Sequence, residues 1–170
     1  MWSEKVINIR NGVLEDVSAI SNVIASSWKS AYRGIVHDEY LDFLSDSHWI
    51  DFLSTGMSSQ AVFSMVLEQD EDIIGSAILI TEEEQAHLLS FYLVPEMIGY
   101  GFGHVFYNGV EAELKRRGFV KCVLDVLQDN DRAIRFYEAH GFLDTNSRIT
   151  AKLGESEYAC KVFEKSLLVL

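Results

Sequence analysis

Residues 90 to 104 read Ser90-Phe91-Tyr92-Leu93-Val94-Pro95-Glu96-Met97-Ile98-Gly99-Tyr100-Gly101-Phe102-Gly103-His104. An apolar strand, Leu88 to Val94, meets the single proline of the chain and then three glycines at alternate positions. A helical pattern follows at once, with Phe102, Val105, Phe106, Val110 and Leu114 spaced by three and four residues. Alternate glycines let the backbone turn sharply and leave its N–H groups uncovered. Those donors join the free N–H groups of a first helical turn, where the helix dipole also favours negative charge. Strand, glycine turn and helix start together predict a cradle for a phosphate or diphosphate.

A second block is more specific. Residues 124 to 142 read Leu-Asp-Val-Leu-Gln-Asp-Asn-Asp-Arg-Ala-Ile-Arg-Phe-Tyr-Glu-Ala-His-Gly-Phe. This is a strand, a turn with Asn130 placed as a helix cap, and a short helix from Asp131. The helix carries Ala133, Ile134, Phe136 and Tyr137 on its buried side, and Gly141 ends it.

A dinucleotide-binding turn would need G-x-G-x-x-G after the first strand of the domain, with an acidic residue some 20 positions on. Asp125 falls near that acidic position. The third glycine is displaced, however: counted from Gly99 its slot is His104, and from Gly101 it is Phe106. The turn instead resembles the R/Q-x-x-G-x-G/A turn of the GNAT superfamily of N-acetyltransferases, with Ile98 at the leading Arg/Gln position. Phe91 to Glu96 is similar to the family's L-Y-V-x-P-E strand. Residues 124 to 142 resemble its L-x-V-x-x-x-N-x-x-A-I-x-F-Y-x-x-x-G-F segment, so the likeness spans roughly residues 86 to 142.

The resemblance implies acetyl-CoA as cofactor. It implies that the acetyl and pantetheine groups bond to the backbone of Phe91, Tyr92 and Leu93. The diphosphate is then expected at Ile98, Gly99, Tyr100, Gly101, Phe102, Gly103 and His104, with Ile98 acting through its backbone N–H. Asn130, Ala133, Phe136 and Tyr137 complete the expected cofactor site. The implied activity is acetyl transfer to a primary amine of a small molecule or a peptide. The alternative is a catalytically quiet acyl-CoA-binding sensor.

Composition agrees with an enzyme of this size. The chain of 170 residues, 48% hydrophobic and 24% charged, suits one domain with an ample core. The 14 Lys and Arg against 26 Asp and Glu leave a net charge of −12. No basic footprint for nucleic acid is evident, and a cationic acceptor would be attracted. No apolar run approaches the ~20 residues of a membrane span. Met1 to Lys5 lacks the layout of a secretion signal, and Cys122 and Cys160 show neither metal nor disulfide spacing. A reducing cytoplasm is the expected compartment, with Cys122 a core thiol and no metal site.

Periodicity predicts a mixed sheet with helices on both faces, and the resemblance implies an α/β (α+β), GNAT-like fold with a mostly antiparallel sheet of six to seven strands. The expected order is β-α-α-β-β-β-α-β-α-β-β. Strands are expected over residues 6–9, 62–67, 73–80, 86–94, 120–127, 146–152 and 158–168. Helical segments are expected over 14–28, 37–44 and 48–53, ahead of the two already described. Asp70-Glu71-Asp72 reads as a hairpin turn and Glu82 to Glu84 as a solvated one.

Acetyl transfer needs a neutral amine, a polarised carbonyl and an acid for the departing thiolate. Tyr137 is the expected acid, since a phenol of pKa about 10 protonates an alkyl thiolate with little penalty. The family's tyrosine at the matching position acts in this way. The strand ahead of the turn lacks the carboxylate the family commonly uses as base. His87 occupies that slot, and Asp125 on the neighbouring strand competes with it. Residues 28–41 resemble a W-x-x-A-Y-x-G-I-x-x-x-x-Y-L segment that borders the acceptor in some members. Trp28, Tyr32 and Tyr40 are therefore the expected acceptor-binding residues. The apolar tail Ser166 to Leu170 is a candidate surface for homodimerisation.

Overall fold

The computed structural model describes residues 5–168. The elements run β1 (Ile7–Asn11), α1 (Val17–Ala31), α2 (Asp38–Phe43), α3 (Ile50–Ser58), β2 (Val62–Gln69), β3 (Asp72–Glu82), β4 (Gln85–Leu93), α4 (Phe102–Arg116), β5 (Lys121–Leu127), α5 (Asp131–Ala139), β6 (Leu143–Leu153) and β7 (Ser156–Ser166). Short 3-10 turns precede α1 at Leu14–Asp16 and follow β4 at Pro95–Met97. The first half thus carries three helices, one more than the expected order counts. The two short segments of the sequence reading are separate helices, α2 and α3.

The strands form one seven-stranded sheet in the order β1-β2-β3-β4-β5-β7-β6. All neighbours are antiparallel except β4 and β5. Strand alternation sends side chains to opposite faces, and the helices cover both. Ala77, Leu79, Leu88, Leu124 and Val126 pack under Phe106, Val110 and Leu114 of α4 and Ile134 of α5. Val62, Val66 and Ile78 pack under Ile20 and Ile24 of α1 and Leu53 of α3. Cys122 is fully buried, as expected. Val105, expected on the inner face of α4, is instead exposed, and Tyr107 takes a buried place beside Phe106.

The β2–β3 hairpin closes through Asp70 and Glu71, with φ of 51° and 73°. A two-residue turn of this hand matches the twist of its flanking strands, and here it is made without glycine. Leu167 is buried, which leaves Leu168 as the exposed apolar residue of the described tail. The remainder of the expected dimerisation surface, Val169 and Leu170, lies outside the described residues, as do Met1 to Glu4 of the expected leaderless start. No described helix is long and apolar enough to cross a membrane.

Candidate active site

The parallel pair at the centre of the sheet is paired for only three residues. Gln85, Ala86 and His87 match Lys121, Cys122 and Val123, after which β4 and β5 part. A bulge in β4 between Leu88 and Ser90 lies just past that point. Such an insertion bends its strand and increases the local twist. The edge of β4 facing β5 is therefore unpaired up to Leu93. A cleft of about 940 Å3 opens there, and Phe91, Tyr92 and Leu93 line it.

The glycine turn forms the next wall. Gly99 and Gly101 have φ of 90° and 86°, and a Cβ built on either would meet nothing within 4 Å. The left-handed backbone selects glycine here, and the open space leaves room for a ligand against the main chain. Gly101 is the N-cap of α4 and supplies no side-chain cap. Among the described residues, the N–H groups of residues 99 to 104 have no acceptor within the protein. Exposed donors at a helix N-terminus form an anion site. Ile98 departs from expectation: its N–H donates to the Pro95 carbonyl at 3.3 Å, closing the 3-10 turn. Its donor is therefore already engaged, although the residue still lines the cleft.

Helix α5 makes the third wall. The Asn130 side chain accepts from the Ala133 N–H at 3.2 Å, which caps the helix as its sequence predicts. Asn130, Ala133, Phe136 and Tyr137 all line the cleft. Gly103 lets the two helices approach, because a Cβ there would sit 3.3 Å from Phe136 Cε2. Phe136 also stacks on Phe91 at 5.6 Å between ring centres. Tyr137 packs against Phe136 and Phe142, at 5.5 and 5.6 Å. Its hydroxyl has no hydrogen-bond partner among the described residues, and burial raises its pKa above the usual phenol value.

Twelve of the fourteen expected cofactor residues line this cleft. The two others do not: Tyr100 is exposed, and Phe102 packs against the α4 core. His87 and Asp125 also stand outside the lining. They pair with each other across the two strands, Nε2 to Oδ2 at 3.2 Å, where β4 and β5 begin to part.

Trp28, Tyr32 and Tyr40 form an aromatic cluster behind the cleft and do not line it. The Tyr32 hydroxyl meets that of Tyr92 at 2.6 Å, and burial raises the pKa of both. The surface α1 presents to the cleft is Ser27, Ala31 and, just past the helix, Ile35. The Ser27 hydroxyl donates to the Leu93 carbonyl at 2.7 Å and ties α1 to the end of β4. Small residues four apart on one helix face were the available signal for this wall. Arg132 and Arg135 of α5 also line the cleft, three residues apart, with Asp129 and Asp131 beside them.

A family model described as "Acetyltransferase (GNAT) family" matches residues 23–142. The chain is 28% identical to a spermidine N(1)-acetyltransferase of Thermoplasma acidophilum over 141 residues, 80% of this chain and 88% of the relative. It is 26% identical over 142 residues to an uncharacterised N-acetyltransferase of Bacillus subtilis, 79% of either protein. Among solved structures it resembles the PaiA N-acetyltransferase of Thermoplasma acidophilum in complex with coenzyme A. That likeness has a TM-score of 0.76 at 25% identity, over 95% of this chain and 99% of the other. The ribosomal-protein-S18-alanine N-acetyltransferase of Escherichia coli shares the fold, with a TM-score of 0.70 at 17% identity over 97% and 96%. The central strand pair that parts, the glycine turn and the capped α5 are the features these likenesses span, and the chain belongs to the GNAT family of acetyl-CoA-dependent N-acetyltransferases.

Proposed function

We propose that the protein acetylates an aliphatic primary amine of the polyamine type, with Tyr137 as the general acid. The observation that carries this reading is the Tyr137 hydroxyl, free of protein partners in the cleft between α5 and the unpaired edge of β4. The residues fit acetyl-CoA because the glycine turn presents unpartnered N–H groups, and beside it the cleft runs on along β4. Bound acetyl-CoA supplies a thioester carbonyl for the amine to attack and a thiolate that must leave.

The chain's own groups then divide the work. Backbone N–H groups on the free edge of β4 hydrogen-bond the carbonyl oxygen, in the manner of an oxyanion hole. Tyr137 donates its phenolic proton to the departing sulfur. The phenol is protonated through the neutral range and has that proton to give; burial raises its pKa, so the transfer waits until thiolate charge develops on the sulfur beside it. His87, held by Asp125 at 3.2 Å outside the cleft lining, takes the ammonium proton through water rather than by direct contact.

A polyamine fits on three grounds. The relative at 28% identity is a spermidine N(1)-acetyltransferase, and the net charge of −12 draws cations towards the protein. The wall of Ser27, Ala31 and Ile35 offers small and apolar contacts to a methylene chain. The test is release of free thiol from acetyl-CoA across polyamines, amino acids, aminoglycosides and peptides. Turnover greatest with polyamines, and lowered tenfold or more in kcat by Tyr137→Phe at unchanged acetyl-CoA affinity, is the expected result. Full activity in Tyr137→Phe would remove the tyrosine from the mechanism. Silence across the panel despite binding would favour the acyl-CoA sensor instead.

A further inference from the structure

His104 and His140 come together beside the glycine turn, from helices that the chain separates by a strand. His104 sits in the first turn of α4 and lines the cleft, and His140 is the C-cap of α5. Their Nδ1 and Nε2 atoms are 2.8 Å apart. At that distance one nitrogen donates and the other accepts, so a single hydrogen lies between the rings. The neutral pair therefore offers its outer nitrogens as one donor and one acceptor. With one added proton, both outer nitrogens become donors, the inner hydrogen bond is kept, and the pair carries one positive charge.

The surroundings hold the pair at the point where a ligand decides its charge. Its rings pack on Phe136 of α5 and Tyr107 of α4, with His140 4.4 Å from the Tyr107 ring centre. From α4 the charged neighbour is Glu111, and from β7 it is Lys165, which lies over the Tyr107 ring and pairs with Glu111 at 2.6 Å. Burial, then His104 and Lys165, lower the His140 pKa, and Glu111 opposes them. Those surroundings disfavour the charged form of His140 while no anion lies on the turn. The C-terminal end of α5 favours a cation, and the free N–H groups of α4 favour an anion. An anion on the glycine turn would supply the negative charge that tips the pair to its protonated form.

We infer that the His104–His140 pair is a proton-coupled diphosphate contact, which takes up one proton from solvent as the acyl donor binds and so provides the positive charge that Ile98 does not. This rests on the proposed placement of the donor's diphosphate at the glycine turn. No covalent bond forms or breaks: a solvent proton is bound on association and released on dissociation. Affinity then rises as pH falls through the neutral range, by up to about tenfold per pH unit for one proton.

The experiment is titration calorimetry with dephospho-CoA. This probe keeps the diphosphate but lacks the phosphate monoester of CoA, which itself titrates near pH ~6. Binding heats near pH 7 in PIPES and in Tris, whose ionisation enthalpies differ, give the number of protons taken up. We expect an uptake approaching one in the native protein, and a Kd that tightens between about pH 8 and about pH 6. His140→Gln and, separately, His104→Gln are expected to abolish both effects while circular dichroism and Tm stay native. Binding without proton uptake, or uptake that survives both substitutions, would overturn the coupling and leave the acetyltransferase reading intact. Failure of dephospho-CoA to bind would overturn the placement of the diphosphate along with it.

Discussion

The two faces of the sheet are packed in different ways. On the α4–α5 face a single cluster runs from Leu67 and Ala77 through Phe106 and Val110 to Leu124, Phe142 and Phe163. On the opposite face there are two smaller clusters, one beneath α1 and α3 and one beneath α2. Trp28, Trp49 and Tyr92 touch both and join them. The joint contains polar atoms, including the Tyr32–Tyr92 hydroxyl pair and a Trp28 Nε1 that lies near Tyr92 without a hydrogen bond. The face that builds the glycine turn and the Tyr137 wall is thus a continuous apolar body. The face beneath α1, α2 and α3 is two bodies with an aromatic seam. Substituting the first should unsettle the whole fold, whereas the second should tolerate more change.

The largest effect expected from this difference is that of Phe106→Ala. Phe106 is fully buried, stacks on Phe91 at 5.0 Å and lies under Gly75, whose Cβ would be 3.3 Å from its ring. Removing a buried phenyl group costs about 3–5 kcal/mol, in transfer and in the cavity left behind. Leu41→Ala, equally buried but in the small α2 cluster, should cost less, about 2–3 kcal/mol. Urea midpoints at constant slope measure both. A larger loss for Leu41→Ala would end the distinction between one core and two.

A middle-sized effect belongs to the seam between β1 and α1. Asp16 accepts two hydrogen bonds from Arg10, at 2.7 and 3.0 Å, and one from the Val13 N–H at 2.8 Å. Arg10 reaches on to Glu68 of β2, so a charged cluster fixes the start of α1 on the sheet. Asp16 is nearly buried, and the bond from Arg10 holds its pKa below the ordinary 3.8. A carboxylate lowered in this way stabilises the fold above its unfolded pKa and loses that contribution as pH falls through the folded one. Asp16→Asn is therefore expected to cost about 2 kcal/mol at pH 7, and the gap to the native protein should narrow only below about pH 4. A gap independent of pH down to about pH 2 would show that the charge contributes nothing.

How much of this was legible in the sequence follows from what each part is made of. The glycine turn and α5 are local: left-handed glycines, an Asn130 cap and a Gly141 stop act within a few residues, and they stand where the sequence places them. The exposed edge strand β6 begins at Leu143, three residues ahead of the expected Asn146. Asn146 itself lies at φ 64° inside a register shift between Asp144 and Arg148, and this obscures the alternation. The walls depend on tertiary packing and were read less well. An aromatic residue on α1 reads as a surface for a ligand, yet Trp28 and Tyr32 fill the seam, and the small Ser27 and Ala31 face the cleft. The His87–Asp125 and His104–His140 pairs are each assembled from distant segments, so the sequence named His87, Asp125 and His104 without showing what they meet, and it did not single out His140.

The smallest effect has the opposite sign. Ser76 of β3 lies across from Tyr92 and is fully buried, and its hydroxyl finds no partner. The continuous face holds such an atom too, the Tyr107 hydroxyl, buried and unpaired beside Phe106. On the face toward α1, Ser76 sits two residues from Ile78 along the strand, beside the polar seam. An unpaired buried hydroxyl costs about 1–3 kcal/mol against a group that makes no such demand, and alanine removes it with little change of volume. Ser76→Ala should therefore stabilise the protein by up to about 1 kcal/mol, read as a higher urea midpoint at unchanged slope. If it destabilises instead, the hydroxyl is taking part in the Tyr32–Tyr92 arrangement. The seam would then be a specified polar network rather than a tolerant joint between two cores.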